Sequence, residues 1–130
     1  MNDSGYNTEG FLFPGPVWFL APRRTYGSYA ELAEVVLAGH AGPPHKRIVY
    51  AFSDEDLAQR FLRGSGDPAR AYIPVMLKHD GQLVRFLQEL QAHGHDTLGV
   101  DATPHRSVRF ILIADLIWHI RQRQANPGSL

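Results

Sequence analysis

The sequence predicts an α/β domain, a mixed and mostly parallel sheet of five strands with about four helices packed on it. Three observations lead there. Ile48–Phe52 is an unbroken apolar run of buried-strand type, and it passes through Ser53 into Asp54-Glu55-Asp56 and then Leu57, Ala58, Phe61 and Leu62 at helical spacing. The same strand-then-helix cadence returns at Tyr72–Gly94 and at Val108–Arg121. The chain has 130 residues, 44% of them hydrophobic and 20% charged, which suits one domain with one core that needs no metal or disulfide to hold it.

Residues 1–14 read as a flexible tail, residues 15–124 as the domain and residues 125–130 as a second tail. Val17–Leu20 is the first strand, stopped by Pro22. Ser28-Tyr29-Ala30-Glu31 has the form of a capping box that opens a helix, with Tyr29, Leu32, Val35, Val36 and Leu37 as its apolar face and Gly39 as its end. Ile48–Phe52 is the second strand and Asp54–Arg63 the second helix. Ala71–Leu77 is the third strand; Pro74 lacks a ladder donor and so favours a sheet edge or a bulge. Leu83, Phe86, Leu87 and Leu90 fall at i, i+3, i+4 and i+7, a one-sided helix closed by Gly94. Thr97–Val100 and Val108–Ile113 are strands joined by too short a link for a parallel crossover, so they pair antiparallel. Ala114–Gln124 is the last helix, with Leu116, Ile117 and Ile120 facing inward.

Charge and composition narrow the function. Lys plus Arg and Asp plus Glu are 13 each, a neutral balance that argues against nucleic acid as the main partner, because such affinity comes from neutralising phosphates. The absence of cysteine removes thiol nucleophiles, disulfides and thiolate metal sites. Met1–Gly10 carries no Lys or Arg, and the run Phe110–Trp118 is too short to span a bilayer; a cytoplasmic protein without membrane partners is the expectation.

Several groups have a chemical and a structural reading side by side. Asp54, Glu55 and Asp56 follow a strand end, where α/β sheets hold ligands, yet carboxylates in a first helical turn also cap free N–H groups and face the positive end of the helix dipole. Capping is the better account, and it serves for Ser28 and Ser53 too. His93, His95 and His105, with Asp96 and Asp101 nearby in sequence, form a candidate metal set of mixed nitrogen and oxygen ligands, but His-x-His here straddles a helix end, where a ring nitrogen can meet the last carbonyls. Gly64-Ser65-Gly66 follows a helix rather than opening one, so it is no phosphate loop. Phe11, Phe13, Trp18 and Trp118 exceed what a short strand needs: they either cover the core or form a surface for a partner.

Phe52-Ser53-Asp54-Glu55-Asp56-Leu57-Ala58, then Ile73-Pro74-Val75, then the helix Leu83–Leu90 and a loose "GPVWFLAP" at Gly15–Pro22, make a pattern. By these residues the stretch Ile48–Pro104 resembles the N-terminal domain of the SseB type, named for the enhanced serine sensitivity protein B. Gly99-Val100-Asp101-Ala102 stands where that family has an Asn-Pro turn. The resemblance implies an α/β domain with a non-enzymatic role, and it brings no catalytic residue and no cofactor to this chain. The leading expectation is therefore a protein-interaction or regulatory module that binds a partner or itself. The alternative is a small-ligand or nucleotide-binding domain with Ser53, Asp54, Lys78 and His79 at the strand ends, and a third is a hydrolase with metal on His93, His95 and His105.

Overall fold

The computed structural model of the chain describes residues 16–41, 46–64, 72–102 and 109–125. In chain order these form β1 (Val17–Pro22), α1 (Tyr29–Val35), β2 (Ala38–Ala41), β3 (Lys46–Phe52), α2 (Glu55–Gly64), β4 (Tyr72–Leu77), α3 (Asp80–Ala92), β5 (Thr97–Val100), β6 (Arg109–Leu112) and α4 (Ile113–Ala125). The α/β class and four helices agree with expectation; the sheet differs. It has six strands in the order β4-β1-β3-β5-β6, with β2 also paired to β3. It is mixed rather than mostly parallel: β3 and β5 are the parallel pair, and β1–β3, β1–β4, β2–β3 and β5–β6 are antiparallel. Strand–helix alternation favours a parallel sheet only when each crossover returns its strand in the same direction. Here β1 lies between β3 and β4 and runs against both.

The sixth strand comes from the segment read as the end of α1. Ser28 caps α1 by accepting from the Glu31 N–H at 3.2 Å, while the Glu31 carboxylate reaches past it to the Gly27 N–H at 2.6 Å. The helix stops at Val36, not at Gly39, because the next backbone groups have partners elsewhere. The Leu37 N–H donates to the Leu20 carbonyl at 2.7 Å, and the Leu37 carbonyl accepts from the Tyr50 N–H at 3.3 Å. Ala38–Ala41 then pairs with β3, and Gly39 is the close-approach residue of the hairpin: a β-carbon there would stand 2.6 Å from the Tyr50 hydroxyl oxygen.

Each strand puts alternate residues on opposite faces. Val17, Phe19 and Ala21, Val49 and Ala51, Leu98 and Val100, and Ile111 face the main core, which α1, α3 and α4 close with Leu32, Leu83, Phe86, Leu87, Leu90, Leu116 and Ile120. The Phe19 and Phe86 rings meet edge to face at 4.7 Å. On the other face Leu20 and Phe52 pack with Ala58 and Leu62 of α2, flanked by half-buried Trp18, Leu37, Tyr50, Leu57, Phe61 and Tyr72. The inward faces expected for α3 and α4 are the buried ones, and Trp118, off the α4 stripe, is 58% exposed.

Pro74 lies on an edge strand, opposite Leu20. Having no N–H to offer, it leaves a gap in the outward row of donors that an exposed edge would present to another chain. Asp80 at the start of α3 accepts from Arg123 of α4 through both carboxylate oxygens, at 2.8 and 3.1 Å, which pins the two helices at one corner.

Leu87 is fully buried on the main core face of α3. Leu87→Ala is expected to lower the unfolding free energy by about 2–5 kcal/mol in urea titration, the range for a core leucine cut to alanine. A loss below about 1 kcal/mol, typical of surface positions, would mean that the α3 face points elsewhere.

Candidate functional site

Because β1 runs against both β3 and β4, the carboxyl ends of β3 and β4 come to one end of the sheet. Trp18 is opposite Phe52 on one side and Met76 on the other. Parallel β5 ends there as well, with Val100 beside Ala51. Ser53, Asp54, Lys78, His79 and Asp101 thus share one end of the fold, with the β3 and β4 groups two inter-strand spacings apart, about 10 Å.

Internal hydrogen bonds already engage much of this end. Asp101 adopts a left-handed backbone with φ of 54°, a conformation in which Asp is among the tolerated side chains. Its carboxylate accepts from the Ser53 N–H at 2.8 Å and from the Ser53 hydroxyl at 2.9 Å, and its own N–H donates to the Ala51 carbonyl at 2.9 Å. Ser53 therefore does not cap α2. Asp54 does so, accepting from the Asp56 N–H at 2.6 Å. The backbone N–H groups of Lys78 and His79 both donate to the Gln82 side-chain oxygen, at 3.1 and 3.2 Å, which secures the start of α3. The Lys78 and His79 side chains are exposed. The sequence sets Asp101 beside the histidines as a possible oxygen ligand; its place is instead on Ser53, a role that depends on parallel pairing of β3 with β5 and carries no spacing signal.

The histidines separate. His93 caps α3 and its Nδ1 lies 2.8 Å from the Glu89 carbonyl oxygen. Gly94, at φ of 88°, turns the chain so that its N–H meets the Gln91 carbonyl and the His95 N–H meets the Leu90 carbonyl, the paired bonds of a Schellman turn. That turn seats the His95 ring in the protein, 5% exposed, with Nδ1 lacking a hydrogen-bond partner among the described residues. Burial lowers the His95 pKa; the positive charges of Arg47 and His93 lower it further, and Asp96 opposes them. His105 lies outside the described residues, as do Phe11 and Phe13, and no group of three or more His, Cys, Asp or Glu among the described residues is placed to hold a metal.

Trp18 is half-buried against the second core, so of the two aromatic candidates among the described residues Trp118 is the one placed as an open surface group. Met76, 45% exposed, is another, on the outer part of β4.

Next to Lys78 and His79 the fold opens into a groove of about 830 Å³ between the loop before α1, α1 itself, β4 and α3. Its floor is apolar, from Leu32, Val75 and Leu77. Tyr26 and Tyr29 form one wall, and Gln82, Arg85, Gln88 and Glu89 of α3 form the other. The Tyr26 hydroxyl donates to the Pro22 carbonyl at 2.6 Å, which fixes that ring. The Arg24 guanidinium lies 4.9 Å from the centre of the Tyr26 ring and the Arg85 guanidinium 6.0 Å from that of Tyr29. The groove escaped the sequence reading because Tyr29 and Leu32 already read as core; the vacancy beside them arises from β4 being the last strand on that side of the sheet.

No family model matches the chain, and no curated protein matches it. No helix among the described residues is long and apolar enough to cross a membrane.

Two measurements follow from these contacts. Asp101→Ala is expected to cost about 1.5–3 kcal/mol, the scale of hydrogen bonds to a charged acceptor. Asp101→Asn should cost less, since one side-chain oxygen remains; equal midpoints for wild type and both variants in chemical denaturation would dismiss the clamp. For His95, a depressed native pKa means the unfolded chain takes up the proton first as pH falls. The neutral ring's contribution is whole above about pH 6.5, the unfolded value, and declines below it until the native ring also protonates. Between pH 7.5 and 5.5, wild type should lose more stability than His95→Gln; parallel melting curves across that range would contradict it.

Proposed function

We propose that the protein is a non-enzymatic protein-interaction module whose working surface is the groove between α1, β4 and α3. The observation that carries this reading is the make-up of the groove: an aliphatic floor, two tyrosines held on one wall, and amide and charged heads on the other. Aromatic side chains and arginine are the residue types enriched where proteins bind each other, and a mixed lining of this kind gives both buried area and orientation. The SseB-type resemblance of Ile48–Pro104 supports the same reading, because it implies a non-enzymatic domain. A cytoplasmic setting goes with it, as the cysteine-free composition suits a reducing compartment.

A volume near 830 Å³ also lies within the range of small-ligand pockets, roughly 300–1,000 Å³, and that favours ligand binding as the second reading. The rim weighs against it. Gly27, Ser28, Arg85 and Gln88 are exposed along both sides of the groove, whereas pockets for small molecules enclose most of the ligand. An open trough suits a length of polypeptide better. The strand-end group of Ser53 and Asp54 supports a ligand less well, since both side chains are held by their neighbours.

Gln88→Trp would fill the groove from its exposed rim without touching the core. Wild-type protein used as bait in lysate of its native host should retain a partner that then binds the purified domain in stoichiometric amount, and Gln88→Trp should lose it. Retention of the same partner by the variant would move the interaction away from the groove. A nucleotide or metabolite that raises the wild-type melting temperature but not that of Gln88→Trp would establish the ligand reading instead.

A further inference from the structure

Within that reading the groove also points to the chemistry of its occupant. Arg85 lines the groove from α3, and its side chain is exposed. Glu89, four residues on, lines the same wall, so an internal ion pair would be the obvious arrangement. It does not form: the ion pairs among the described residues are Arg60–Asp56 and Arg123–Asp80. The Arg85 guanidinium is instead placed towards the Tyr29 ring across the groove. Arg24 stands in the same relation to Tyr26 on the other wall, again without a carboxylate partner among the described residues. Of the nearby carboxylates, that of Glu31 is taken up by the Gly27 N–H. The groove is thus lined by one cation, Arg85, and one carboxylate, Glu89, which do not pair, while Arg24, outside the lining, lies over the Tyr26 ring. A guanidinium over a tyrosine ring keeps its fork of N–H donors free at the edge, the geometry that pairs two-pronged with a carboxylate.

We propose that the groove binds an extended segment of a partner protein that carries an acidic side chain, with the Arg85 guanidinium pairing with that carboxylate and apolar neighbours of the acid resting on Leu32, Val75 and Leu77. This rests on the groove being the interaction surface. Arg85 sets the preference for acid, and Tyr29 holds it in place. The occupant lies across the β4 face and not along its outer edge, where Pro74 interrupts the donors.

The test uses a display library of random twelve-residue peptides selected on the full chain. The selected peptides are then measured by fluorescence polarisation and by amide NMR shifts. Peptides that shift the Gly27, Ser28 and Val75 amides are expected to carry Asp or Glu. Changing that residue to its amide should weaken binding about tenfold, Arg85→Gln should weaken it by a similar factor, and the two changes together should cost little more than either alone. Peptides that shift those amides yet lack an acid, or bind Arg85→Gln equally well, would overturn the acidic preference and leave the groove as a binding surface. Peptides that shift only other amides would overturn the groove reading itself. Free glutarate or inorganic phosphate giving the same shifts at the same affinity would show an anion site and overturn the peptide assignment.

Discussion

Two hydrogen bonds of one residue determine how this sheet is built. The Leu37 N–H reaches the Leu20 carbonyl on β1, and the Leu37 carbonyl takes the Tyr50 N–H on β3. They sit where one side of β3 changes partner, from β2 along its first half to β1 at its end. A long strand flanked on one side by two short ones needs the backbone groups at the junction to be satisfied, because a buried unpaired N–H or C=O costs as much as a lost bond. Leu37 meets that need for both strands at once, and its side chain joins the second core. The early end of α1, the sixth strand and the placement of Gly39 under Tyr50 all follow from it.

With β1 held between β3 and β4, the two faces become unequal. Three helices cover the main face and α2 alone packs on the other, over β4, β1 and β3. On the main face α1 has only seven residues, too short to lie along the whole of β4 beside the thirteen-residue α3. The space that α1 leaves over the edge strand is the groove. It opens beside the first turns of α1 and the loop that leads into them, where Tyr26, Tyr29 and Arg85 border it.

The features legible in the sequence were those with a local cause. Leu83, Phe86, Leu87 and Leu90 define a helix face by spacing alone, Gly94 marks its end, Pro74 marks an edge, and the short link between β5 and β6 dictates an antiparallel pair. What escaped depends on residues far apart in the chain. Val36 and Leu37 continue the helical period, and only the carbonyl of Leu20 and the amide of Tyr50 show why the helix yields. Likewise Ser53 before an acidic run has the look of an N-cap, but its hydroxyl is drawn to Asp101, forty-eight residues on, and Asp54 takes the capping role. The histidine pair divides for a local reason already visible in the spacing: His93 ends a helix, and Gly94 sends His95 inward.

The clamp at the strand ends explains why the groove, and not the carboxyl edge of the sheet, is the stronger functional candidate. In open α/β sheets the carboxyl ends of parallel strands gather ligands because adjacent loops part there and leave polar groups free. Here β3 and β5 are parallel, yet Asp101 spans them and satisfies both the amide and the hydroxyl of Ser53. A ligand would have to replace charge-assisted bonds already made, at a cost comparable to what it gained. Beside β4 the polar groups of Tyr26, Gly27, Ser28 and Gln82 are likewise bonded within the fold, but the exposed guanidinium of Arg85 has no carboxylate partner among the described residues. A segment bound there would displace water and pair with a guanidinium that is still free, without breaking a charge-assisted bond of the fold, and that gain would be set against the ordering of the segment itself.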